Sequence, residues 1–76
     1  MTYRELDTVV VTKDLPALGL KRGDVGAVVQ VYARSGLEVE FVTATGATQA
    51  VVTLNSDSVR PVDRKDLLAV RHLDAA

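Results

Sequence analysis

The chain has 76 residues, with nine Lys and Arg against ten Asp and Glu, one His and no Cys. This length holds one small domain, and a net charge of −1 argues against a basic nucleic-acid binder or a membrane-surface peptide. The lack of Cys excludes a disulfide framework, a thiolate zinc site and a Cys nucleophile, and a single His excludes a His-rich metal site within one chain.

In chain order, residues 1–5 read as a polar lead-in. Leu6–Thr12 is a strand candidate whose apolar triplet Val9-Val10-Val11 implies that both of its faces are at least partly covered, unless one Val lies at the surface. Lys13–Asp24 is a loop punctuated by Pro16, Gly19 and Gly23. Leu15, Leu18 and Leu20 are expected to fold back over the core, and Gly23 to supply a positive-φ turn position. Val25–Ala33 is the clearest strand, and Gly26 within it signals a bulge or a close backbone approach. Arg34-Ser35-Gly36 reads as a hairpin turn. Leu37–Thr43 alternates, with Leu37, Val39 and Phe41 assigned inward and Glu38 and Glu40 outward. Ala44-Thr45-Gly46 is a second turn, Ala47–Leu54 a further strand and Asn55–Ser58 a 3₁₀ turn. Val59–Val62 is a brief last strand, in which Pro61 requires an edge or a strand end.

The tail, residues 63–76, differs in kind. Leu67, Val70 and Leu73 fall at i, i+3 and i+6, with Leu68 beside them. Asp63 is placed to cap, so the pattern predicts a short C-terminal helix. The expected architecture is all-β: a small five-stranded SH3-like barrel over residues 1–62, followed by an amphipathic helical tail over 63–76. A Val-rich, aromatic-poor chain suits a sheet wrapped round one apolar centre.

The run from Leu6-Asp7-Thr8-Val9-Val10 through Asp14-Leu15-Pro16 to Gly19-Leu20-Lys21-Arg22-Gly23-Asp24-Val25-Gly26-Ala27-Val28-Val29 resembles the bacterial domain-of-unknown-function family 4926. The likeness continues through Val39-Glu40-Phe41 and Val52-Thr53-Leu54 to Arg60-Pro61 and spans roughly residues 5–62. It implies a small bacterial SH3-like barrel with no associated catalytic residue and, in some members, a neighbouring toxin-like or otherwise uncharacterised protein as partner. More loosely, Gly23-x-x-Gly26-x-Val28 is similar to the turn and strand of KOW and other SH3-like modules.

Chemistry-bearing patterns are sparse. His72 reads as a solvated side chain near a helix end rather than a ligand. Glu38 and Glu40 share a strand face but read as a solubilising pair rather than an acid–base couple. Lys21 and Arg22 are flanked by Asp14 and Asp24, and residues 1–62 hold six basic and seven acidic side chains, so no basic patch stands out. The Ser and Thr residues lack a nucleophile context, and Gly23-x-x-Gly26 lacks the Lys-Ser/Thr of a phosphate loop.

The expected function is therefore non-catalytic protein–protein interaction, with an antitoxin- or immunity-like role suggested by the resemblance. A KOW-like RNA- or ribosome-associated module and an accessory subunit of an enzyme complex are the alternatives. The candidate contact residues are Leu15, Pro16, Leu18 and Leu20 in the loop and Leu67, Leu68, Val70 and Leu73 in the tail. No cofactor or metal is expected. The expected partner is another protein, a homodimer is compatible with the pattern, and nucleic acid and membrane are disfavoured. Residues 1–20 lack a basic start followed by a long apolar stretch, so a cytoplasmic protein is expected.

Overall fold

The computed structural model describes residues 2–73. Its regular elements are β1 (Thr8–Val11), a 3₁₀ turn at Pro16–Leu18, β2 (Val25–Val31), β3 (Gly36–Val42), β4 (Thr48–Asn55), a 3₁₀ turn at Ser56–Ser58 and β5 (Val59–Pro61). All strand pairs are antiparallel, and the spatial order is β4-β3-β2-β1-β5.

Alternation sets the core. Leu37, Val39 and Phe41 of β3 face inward at 2%, 0% and 5% exposure, as their period-two spacing requires. They join Val9 and Val11 from β1, Val28 from β2, Leu54 from β4 and Val59 from β5 in one cluster. Val10 points to the opposite face of β1, yet it is also buried, so the Val triplet is covered on both sides. Tyr3 belongs to the core as well, although it lies in a segment that reads as polar. Its hydroxyl donates to the Val59 carbonyl at 3.5 Å, and burial pushes the phenol pKa up.

Gly26 explains how β2 crosses so close to β3. A Cβ there would lie 2.6 Å from Val39 Cγ1, 2.8 Å from Phe41 Cε1 and 3.0 Å from the Glu40 carbonyl. The ladder is interrupted elsewhere, between Val28 and Gln30 on β2 and opposite Phe41 and Val42 on β4. Such bulges bend strands and increase their twist. They help a single sheet curl round a core to which every strand contributes.

Two expectations are corrected. The sheet curls but does not close into a barrel: β4 and β5 are its two edges and do not pair with each other. β5 has three residues and ends at Pro61, which has no N–H to donate. The C-terminal helix is also absent among the described residues, and the chain from Val62 to Leu73 carries only a turn at Arg64–Lys65. Residues 74–76 of the expected helix lie outside the described residues.

The start of that helix is nonetheless visible. Asp63 accepts from the Lys65 N–H, as a cap does, and its carbonyl accepts from the Asp66 N–H. Propagation stops there, because Asp66 turns back to accept from the Asp63 N–H and to bind Arg60. A segment of about ten residues is marginal as a helix in water unless it buries a face, and this one buries none.

Candidate functional site

The loop and the tail, far apart in sequence, meet at one end of the sheet. Arg71 is the joint. Its guanidinium donates to both carboxylate oxygens of Asp24, at 2.9 and 2.7 Å, and to the Gly19 carbonyl at 3.2 Å. Asp24 is positioned by its own turn: it accepts from the Lys21 N–H, while Gly23 adopts φ 97°. The Arg71 bond holds the Asp24 carboxyl below the usual carboxylate range, against the opposing pull of burial.

A second clamp holds the near end of the tail. Arg60 donates to both oxygens of Asp66, at 2.8 and 2.9 Å. That pair, helped by the Asp63 N–H, lowers the Asp66 pKa to about 2. Bidentate Arg–carboxylate pairs fix geometry as well as charge, so the segment from 66 to 71 is held at both ends.

Between the clamps, Leu67 is 95%, Leu68 74% and Val70 97% exposed. Leu73, beyond the second clamp, is half-buried. In the loop, Leu20 is a core residue and Leu15 packs against the core. Leu15 and Leu20 exchange backbone bonds at 2.9 and 3.1 Å, closing the loop base. Pro16 and Leu18 are exposed. The eight candidate contact residues therefore divide. Leu15 and Leu20 cap the core, Leu73 is half-buried, and Pro16, Leu18, Leu67, Leu68 and Val70 are open to contact.

The other singled-out residues take modest positions. His72 is exposed on the irregular tail. Glu38 accepts from the Tyr32 and Thr53 hydroxyls at 3.0 and 2.8 Å, and Glu40 accepts from the Thr48 hydroxyl at 2.6 Å. The carboxylate on Tyr32 raises the phenol pKa. The Arg22 and Lys21 amides are turned onto Asp14 and Asp24. An open groove of about 490 Å³ lies apart from the loop, between Tyr3, Asp7, Thr8, Pro61 and Asp63. Among the described residues, no group of three or more His, Cys, Asp or Glu is placed to hold a metal, and no helix is long and apolar enough to cross a membrane.

The two Arg–Asp clamps were not legible in the sequence. Arg71 there looks like a cation at a helix end. Nothing in its neighbours pairs it with a carboxylate 47 positions away.

These features define a small all-β domain, one curled and open five-stranded antiparallel sheet, with an apolar tail strapped beside its first long loop. The chain belongs to the family described as Domain of unknown function (DUF4926), whose model matches residues 5–61. The strapped segment thus lies past the matched part. No curated protein matches the chain, and no solved structure does.

Proposed function

We propose that this chain is a non-catalytic protein–protein interaction module that offers the tail segment 66–71, with Pro16 and Leu18 beside it, to another protein. The observation that carries the reading is the exposure of Leu67, Leu68 and Val70 at 74–97% in a segment tethered at both ends by ion pairs. Tethering lowers the entropy that a partner must remove on binding, and burying such side chains stabilises a complex by roughly 1.5–3 kcal/mol each. A non-helical segment of this kind suits addition to a sheet edge or an apolar groove on the partner.

The strand order, with its 3₁₀ turn between β4 and β5, supports an SH3-like connectivity for the scaffold. A bacterial, cytoplasmic antitoxin- or immunity-like partner of a neighbouring protein is the role we favour within this reading. Asp14 and Asp24 beside Lys21 and Arg22 favour a protein over RNA as the partner.

The test is quantitative capture from native lysate with the full chain as bait. A parallel bait carries Leu67→Asp, Leu68→Asp and Val70→Asp. The wild-type chain should retain one protein at stoichiometric level, and the triple variant, with an unchanged melt, should lose about a hundredfold or more in affinity for it. Recovery of no stoichiometric partner, or equal recovery by both baits, contradicts the proposal.

A further inference from the structure

The two edges of the sheet are unlike. β5 is three residues long, ends at Pro61 and carries Arg60 clamped to Asp66. β4 is eight residues long and contains neither Pro nor a charged residue. It lies within a stretch from Phe41 to Ser56 that has no charged side chain at all. Natural edges are usually blunted by Lys, Pro, shortness or a bulge; β4 has no Lys or Pro and is long, and its one irregularity, at Gln49, lies before the run from Ala50 to Asn55.

The direction of its free backbone groups follows from the register. Gly36 pairs with Asn55, and the Ser56 N–H donates to the Ser35 carbonyl at 2.8 Å. Gly36 and Asn55 therefore form a non-hydrogen-bonded pair, and antiparallel alternation makes Glu38–Thr53 and Glu40–Val51 non-hydrogen-bonded pairs too. In such pairs the N–H and C=O point away from the neighbouring strand. Val51, Thr53 and Asn55 thus direct theirs to the open edge.

We infer that β4 is a homotypic pairing edge, which takes the β4 of a second copy of this chain in antiparallel register. A two-fold axis at Val52 sets Val51 opposite the second copy's Thr53, so the outward backbone groups of both residues meet in kind. It sets Val52 against its own counterpart and Ala50 against Leu54. Ala50 and Val52 are half-buried in the single chain, so pairing extends the existing apolar face. No like charges meet on the strands. The nearest carboxylates, Glu38 and Glu40, lie one strand in and are bonded to Tyr32, Thr53 and Thr48. Across the axis they are three strand spacings from their counterparts, about 14 Å, which exceeds the screening length of about 8 Å at physiological salt. A foreign strand would satisfy the same backbone groups, but the neutral, self-complementary pattern singles out a second copy. This inference is independent of the tail surface.

A single strand pair buries less than a standard interface, so the dimer is weak, with a dissociation constant of roughly 10–100 µM. Sedimentation equilibrium of the full chain from 5 to 500 µM should show monomer passing to dimer, a range set at roughly tenfold on either side of the expected midpoint. Hydrogen exchange should show the Val51 and Thr53 amides slowing at least about tenfold at the higher concentration. Val51→Lys should weaken the dimer about tenfold or more while keeping the fold, because the new ammonium faces Glu40 across the ladder. The tail triple variant should dimerise like the wild type. A chain monomeric throughout the range overturns the inference, and so does a dimer that survives Val51→Lys or one lost in the tail variant. Protection of the two amides only on addition of another protein, with no self-association, assigns the edge to a foreign strand and equally overturns it.

Discussion

Gly26 shows how tightly one position is constrained. Its absent side chain would collide with Val39 and Phe41, which are 0% and 5% exposed and have nowhere to move. Gly26→Ala should therefore destabilise the fold by about 1–3 kcal/mol, as overpacking does, measured as a lower denaturant midpoint at unchanged slope. The sequence announced this residue, since Gly inside a Val-rich strand signals close approach. The hairpin turn read at Arg34-Ser35-Gly36 is present but one residue shorter: Gly36 is already the first residue of β3, and Arg34 and Ser35 take the left-handed conformation, at φ 62° and 68°. Side chains pay for that conformation. Ser35→Gly should raise stability by about 0.5–1 kcal/mol, seen as a higher melting temperature. Leu6, at φ 75° and 82% exposed, sits in a turn ahead of β1 rather than in the strand its hydrophobicity suggests.

At the scale of elements, the strands were legible because period-two alternation and turn residues both mark them, and the 3₁₀ turn after β4 was legible from Asn55, whose side chain accepts from the Asp57 N–H. The tail was not. Its apolar spacing fits a helix, but spacing decides only when the sheet offers a face to bury, and the two Arg–Asp clamps claim the segment first. Their titration gives a signed prediction. Asp24 and Asp66 have folded pKa values below the unfolded value of about 3.9. Their contribution is therefore present above that pH and is lost as pH falls through the folded values. Acidification through the folded values, to below about pH 2, should release the tail, read as a shift of the Arg71 Nε–H resonance to its unbonded position, with the Asp66 carboxyl titrating at about 2. Titration of both carboxyls near 3.9 would mean that the clamps do not form. Truncation after Val62 removes the exposed Leu67, Leu68 and Val70, the half-buried Leu73 and two partly exposed ion pairs, but no residue of the core cluster. It should cost no more than about 1–2 kcal/mol, and a larger loss in a thermal melt would make the tail part of the core.

At the scale of the molecule, one apolar cluster serves five strands, and packing and the ladder hold them, with Glu38 and Glu40 bonded across from β3 to Thr53 and Thr48 of β4. The all-β class and the inward set of β3 followed from composition and alternation. Closure could not be read the same way, because it depends on whether β4 and β5 meet, and a three-residue β5 ending in Pro61 leaves β4 unpaired on its outer side. The same open geometry places the loop and the tail at one end, where Arg71 joins them. The central claim is that two Arg–Asp clamps hold a non-helical segment, with Leu67, Leu68 and Val70 exposed, in place in the free chain. Solution NMR of the free full chain at pH 7 tests it most directly. Non-helical Cα shifts for residues 66–72, with contacts from the Arg71 guanidinium to Asp24 and Gly19, are the predicted result; helical shifts over the same residues, or no contact between Arg71 and Asp24, would contradict it.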